Sequence, residues 1–160
     1  PHMSNILLID IAGRDQPGIT AALTQVLADA GVSILDIGQS TIHNNLALGF
    51  LVDIGTDIDG QATQTALKQK GQELGLDIQC TPVSDDAYED WVALQGQPRH
   101  MVTLLARHIS ATQLSRVSAL VTERGLNIER ITRLTGRISR RQPSTKQRSV
   151  VQFALKGPVT

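Results

Sequence analysis

Aromatic side chains are nearly absent from this 160-residue chain: two Phe, one Tyr and one Trp make up 2% of it. Any core it builds is aliphatic, and it offers no stacked platform for bases or sugars. One cysteine, Cys80, leaves no internal disulfide to form, which fits a reducing cytoplasm. Nothing in the sequence pairs it with a base, so Cys80 reads as a small strand residue rather than a nucleophile. No apolar run approaches the roughly 18 residues of a membrane span, and no signal-peptide pattern is present, so a soluble protein without membrane contact is expected. Pro1-His2 before Met3 reads as a cloning scar and is set aside. Positive charge is scarce in one half only. Residues 1–98 carry 3 Lys/Arg against 13 Asp/Glu, and residues 99–160 carry 12 against 2. This asymmetry suggests a boundary near Gly96-Gln97-Pro98, with two surfaces that attract opposite charge.

What is present has a clear order. Asn5–Ile11 is a short apolar strand, and Pro17 suits the first turn of a helix. Ile19, Leu23, Val26, Leu27 and Ala30 recur at helical spacing until Gly31 stops the helix. Ser33–Ile42 and Leu46–Ile54 are strands joined by a turn at His43-Asn44-Asn45, where asparagine tolerates positive φ. Residues 61–75 form a second helix, and Leu76–Thr81 a fourth strand. This β-α-β-β-α-β order predicts an α+β, ferredoxin-like unit with an antiparallel sheet of order 4-1-3-2.

The second half repeats the front of the first at an offset of 94: Gly31 falls on Gly125, Leu23 on Val117, Leu27 on Val121, Ile34 on Ile128 and Ile37 on Ile131. The expected domains are therefore a first unit over 4–82, a linker with a short acidic helix over 83–98, and a second unit over 99–160. Tyr88 and Trp91 of the linker are expected to pack onto a neighbouring unit. The second unit lacks a second helix and fourth strand, so its first strand is an open edge. That reads as a fragment whose second unit is completed by another molecule, a homodimer with strand exchange included, or left irregular.

Three stretches and three scattered histidines are candidates for chemistry. Gly13-Arg14-Asp15-Gln16-Pro17-Gly18-Ile19-Thr20 is one residue from the phosphate loop G-x-x-x-x-G-K-[ST]. Ile19 stands where the lysine belongs, and Asp15 repels phosphate. Asp57-Ile58-Asp59 has the spacing of a phosphorylated-aspartate motif, but its glycine-flanked place before a helix reads as a turn with Asp59 as the cap. The basic stretch 136–148 carries five Lys/Arg with no aromatics between them, as in a solvated hairpin tip rather than a nucleic-acid surface. His43, His100 and His108 have no metal spacing. That leaves the first loop as a place for a ligand smaller than a nucleotide. Gly13 and Gly18 let backbone approach it, and the first N–H groups of the helix suit a carboxylate. Asp15, or Asp36 and Gln39 on the second strand, suit an ammonium. On the residues alone, a plain strand-to-helix turn is an equal reading.

The stretch "GRDQPGITAALTQVLADAGVSILDIGQ" resembles an ACT domain, the small ferredoxin-like regulatory module that binds amino acids. "LDIGQSTIHNNLALGFLV", "YEDWVALQGQPRHMVTLLAR" and "RGLNIERITRLTGR" extend the resemblance over about residues 4–157, to the N-terminal regulatory half of bacterial phosphoserine phosphatases that carry two ACT domains. In that family a magnesium-dependent, haloacid-dehalogenase-type catalytic domain follows and hydrolyses O-phospho-L-serine in L-serine biosynthesis. The resemblance thus implies a cytoplasmic, non-catalytic region without cofactor, binding a small amino acid such as L-serine and supporting a dimer. It places the ligand at Gly13, Asp15, Gln16, Pro17, Gly18 and Ile19, with Asp36 and Gln39 nearby. In the second unit Ile109, Ala111 and Thr112 fall under Asp15, Pro17 and Gly18, leaving Arg107, His108 and Ser110 as the contacts still on offer there. A rival from another class is an assembly module that only holds oligomers together and binds no ligand.

Overall fold

The chain is described by a computed structural model over residues 5–136, 140–141 and 148–158. It divides between Ala93 and Leu94 into two compact units. The first contains β1 (Ile6–Arg14), α1 (Ile19–Ala30), β2 (Ser33–Ile42), β3 (Asn45–Asp53), α2 (Gly60–Leu74), β4 (Asp77–Val83) and most of α3 (Asp85–Gln95). Its sheet is antiparallel in the order β2-β3-β1-β4. That is the ferredoxin-like order expected from the sequence.

Alternation along the strands explains why the sheet has two unlike faces. Leu46, Leu48, Phe50 and Val52 of β3 and Leu7, Ile9 and Ile11 of β1 are buried, and they pack with Ile19, Leu23 and Leu27 of α1 and Leu67 of α2. The opposite face carries Leu8 and Leu51, directly paired across β1 and β3. α2 starts at Gly60, one residue before the expected position, and Asp59 caps it as expected, its carboxylate accepting from the N–H groups of Gln61 and Ala62.

Three local expectations need correction. β1 runs on to Arg14, because Gly13 and Arg14 continue the ladder opposite Leu46 and Asn45. Pro17 does not open α1: Gly18 holds φ 88, outside helical space, so the helix begins one residue later at Ile19. In the hairpin between β2 and β3 the positive φ falls on His43, at 54°, and not on an asparagine.

The second unit contains β5 (Arg99–Ala106), α4 (Ala111–Glu123), β6 (Asn127–Arg133) and β7 (Ser149–Lys156), with sheet order β5-β7-β6. Its core is Val121, Val151, Phe153 and Leu155. The sequence repeat is also a structural one. β2 is irregular between Ile34 and Asp36, and β6 between Ile128 and Arg130, 94 residues on in both cases. Ile37 pairs Phe50 as Ile131 pairs Phe153, and both phenylalanines are fully buried. As expected, β5 lies at a sheet edge. Buried Lys156 meets Glu129 at 3.5 Å, which compensates a charge held out of water. Most of the basic stretch 136–148 lies outside the described residues.

Candidate ligand cleft

The loop from β1 to α1 is tied down on both sides. The Asp15 N–H donates to the Asn44 carbonyl in the β2–β3 hairpin at 2.8 Å. The Gln16 side-chain amide donates to the Leu74 carbonyl at the end of α2, also at 2.8 Å. Gly13 lies so close to this end of α2 that a Cβ there would sit 2.7 Å from Leu76 Cδ2. Gly13 and the Gln16 amide group therefore serve the protein's own packing.

Between these anchors, Asp15, Gln16, Pro17, Gly18, Ile19, Thr20 and Ala21 line an open cleft of about 460 Å³, together with Gln39 of β2 and Leu46 of β3. The Ile19 side chain is buried, so it offers the cleft backbone only. The Thr20 hydroxyl donates to Gln39 Oε1 at 2.7 Å, which fixes that amide and leaves its two N–H donors for another partner. No side chain caps the N-terminus of α1. Its first-turn N–H groups lack intrahelical acceptors, and the helix dipole favours negative charge there. Asp15 supplies a carboxylate to the same cleft. The arrangement suits a molecule that carries a carboxylate and an ammonium a few ångströms apart.

Asp36 is not part of this constellation. It lies in a separate cleft with Leu8, Leu51, Val83, Ala87, Tyr88 and Trp91. Tyr88 and Trp91 thus pack, as expected, onto a unit next to the linker, the sheet of the first unit. Their rings are 5.9 Å apart and tilted by 36°.

The corresponding loop of the second unit is closed by its own residues. Ser110 caps α4, accepting from the Gln113 N–H, while its own N–H donates to Gln113 Oε1. Ser110, rather than Thr112, thus takes the place that Gly18 holds in the first unit. Arg107 and His108 stand exposed in the turn before it. Among the described residues no three His, Cys, Asp or Glu side chains converge as a metal site, and no helix is long and apolar enough to cross a membrane.

Comparison with known proteins agrees with the fold and extends beyond the first unit. A family model for the ACT domain matches residues 5–81. The phosphoserine phosphatase SerB2 of Mycobacterium tuberculosis is 35% identical over 124 residues, 77% of this chain and 29% of the relative. A phosphoserine phosphatase of Streptomyces coelicolor is 31% identical over 155 residues, 96% of this chain and 34% of the relative. The chain therefore spans about a third of the length of these two relatives. The UPF0237 protein MJ1558 of Methanocaldococcus jannaschii is 34% identical over 73 residues, 45% of this chain and 81% of the relative. Among solved structures, an unknown protein from Galdieria sulphuraria superimposes with a TM-score of 0.65 at 17% identity, covering 94% of this chain and 79% of that one. With the loop, the strand order and these matches in agreement, the chain belongs to the ACT domain family.

Proposed function

We propose that the loop cleft of the first unit takes up the zwitterion of a small amino acid, and that L-serine is that ligand. The observation that carries this reading is the α1 N-terminus, left without a side-chain cap in a cleft that also holds Asp15 and Gln39. The ligand carboxylate meets the first-turn N–H groups and the Gln39 amide, and the ammonium meets Asp15. The relatives named phosphoserine phosphatase supply the choice of serine. On this reading the chain senses the product of a phosphatase in L-serine biosynthesis, and hydrolysis with magnesium belongs to other residues of such an enzyme.

Calorimetry with L-serine, glycine and O-phospho-L-serine tests the reading. Saturable heat with L-serine is expected. No heat across millimolar L-serine overturns it.

A second reading, assembly of a homodimer, is favoured by β2. It is a sheet edge along which Ile34, Ile37 and Ile42 remain 45%, 50% and 77% exposed. An apolar, unpaired edge is a template for a second chain. The two readings are compatible.

A further inference from the structure

The cleft that holds Asp36 is built differently from the loop cleft and lies on the other face of the same sheet. Across β2, β3 and β1, Asp36, Leu51 and Leu8 stand side by side in one row. α3 brings Ala87, Tyr88 and Trp91 to that row, and with Val83 they line an open cleft of about 330 Å³. This volume falls in the range of small-molecule sites, which join an apolar wall to a few placed polar groups. Here the wall is leucine, valine, alanine and two aromatic rings, and the placed group is one carboxylate. No lining residue is basic.

We propose that this cleft binds a small primary ammonium ion with an apolar body and no carboxylate. The Asp36 carboxylate uses Oδ1 to accept the Ile37 N–H at 2.9 Å, which holds the side chain in place. No hydrogen bond to its Oδ2 occurs among the described residues. An ammonium donates to that oxygen in a charge-assisted bond, and the Trp91 and Tyr88 rings attract the same cation through their faces. The apolar body then covers Leu8, Leu51 and Val83. A free amino acid is disfavoured, because its carboxylate finds no cation in the lining, and the first turn of α3 beside it carries Asp85 and Asp86 and has its Ala87 N–H already bonded to the Ser84 hydroxyl. The field of the unit points the same way, since 13 acidic residues outweigh 3 basic ones across residues 1–93.

Trp91 is the sole tryptophan of the chain, so its emission reports this cleft directly. The probe is 2-phenylethylammonium chloride, with neutral 2-phenylethanol as the control. A saturable change in emission is expected, with the ammonium bound about tenfold or more tightly than the alcohol, as an ionic hydrogen bond dictates. Asp36→Asn, which keeps an oxygen for the Ile37 N–H, should erase that preference. Ala87→Leu, which fills the cleft, should weaken both compounds, with an unchanged circular dichroism spectrum confirming the fold. Equal affinity for the two compounds, or a preference that survives Asp36→Asn, overturns the proposal. Displacement of the probe by L-serine also overturns it, since that assigns the probe to the loop cleft.

Discussion

Asp36 and Gln39 stand three residues apart on β2, and their side chains leave the sheet on opposite faces. Gln39 pairs with Leu48 on the helix side and reaches the loop cleft, whereas Asp36 pairs with Leu51 on the opposite side, in the cleft lined by Tyr88 and Trp91 of α3. An odd separation on a regular strand always divides two side chains in this way. The two residues therefore cannot share a ligand the size of an amino acid. Asp15→Ala should weaken L-serine binding about tenfold, the loss expected for one charged hydrogen bond. Asp36→Asn should leave it unchanged. Calorimetry on the two variants checks the pair, and a larger loss from Asp36→Asn would reverse the assignment.

Gly18 tests the geometry of the loop rather than its charges. Its φ of 88 is left-handed, yet a Cβ there would meet nothing within 4 Å. Gly18→Ala should therefore cost stability by strain alone, about 1–2 kcal/mol. Urea unfolding should show a lower midpoint with an unchanged slope. If the loop instead relaxes to relieve the strain, the α1 N–H groups turn away and serine affinity falls. A variant with wild-type stability and affinity would show that the left-handed turn is dispensable.

Much of this fold is legible in the sequence because it rests on local patterns. The 3.6-residue spacing of Ile19, Leu23 and Leu27, Gly31 as a stop and Asp59 as a cap all lie within one turn or helix. The 94-residue repeat is legible for the same reason, since the hydrophobic pattern around Ile34 and Ile37 returns at Ile128 and Ile131. The site is less legible. That Gly13 makes room for Leu76, and that Gln16 holds the Leu74 carbonyl, depends on contacts some 60 residues apart in sequence. The separation of Asp36 from Gln39 was available from strand parity alone. Thr20 also carried a signal, a hydroxyl in the first turn after the loop, but its bond to Gln39 needs the tertiary fold.

The close fit of α2 on β4 gives a prediction about stability. A Cβ on Gly71 would lie 2.6 Å from Ile78 Cδ1 and 2.9 Å from its Cγ1, and Ile78 is buried. Leucine is a good helix former, so any loss from Gly71→Leu is steric rather than conformational. The expected destabilisation is about 1–3 kcal/mol, as for other overpacked cores. Ile78→Ala opens the same space, so the double variant should be more stable than the sum of the single losses implies. Strict additivity in denaturant unfolding would place the clash elsewhere.

The β2 edge predicts the oligomeric state. Ile37→Asp and Ile42→Asp change side chains that are largely exposed in the single chain, so the folded monomer should keep its thermal stability at low concentration. If β2 joins two copies, these aspartates place like charges at the seam. Analytical ultracentrifugation should then show a wild-type dimer and a monomeric double variant. A dimer that survives both substitutions moves the interface off this strand. A wild-type monomer at every concentration removes the assembly reading.

Cys80 predicts how stability responds to alkali. Burial pushes its thiol above the ordinary value of 9.0, Lys68 pulls it partly back, and Asp10 adds to the rise. The folded state thus disfavours the thiolate relative to the unfolded chain. Well below pH 9 the thiol is almost wholly neutral in both states, and its contribution to stability is fully present. As pH climbs from the unfolded value through the raised folded one, the unfolded chain loses its proton first, and that contribution is lost. Urea midpoints measured across pH 7–11 should stay level near neutrality and then decline. Cys80→Ala should decline less steeply, because other alkaline groups remain and this one is gone. At pH 7.5, iodoacetamide should modify Cys80 more slowly in the folded protein than in urea, since the thiolate is the reactive form. Equal rates in both states would mean that the sheet does not shield this thiol.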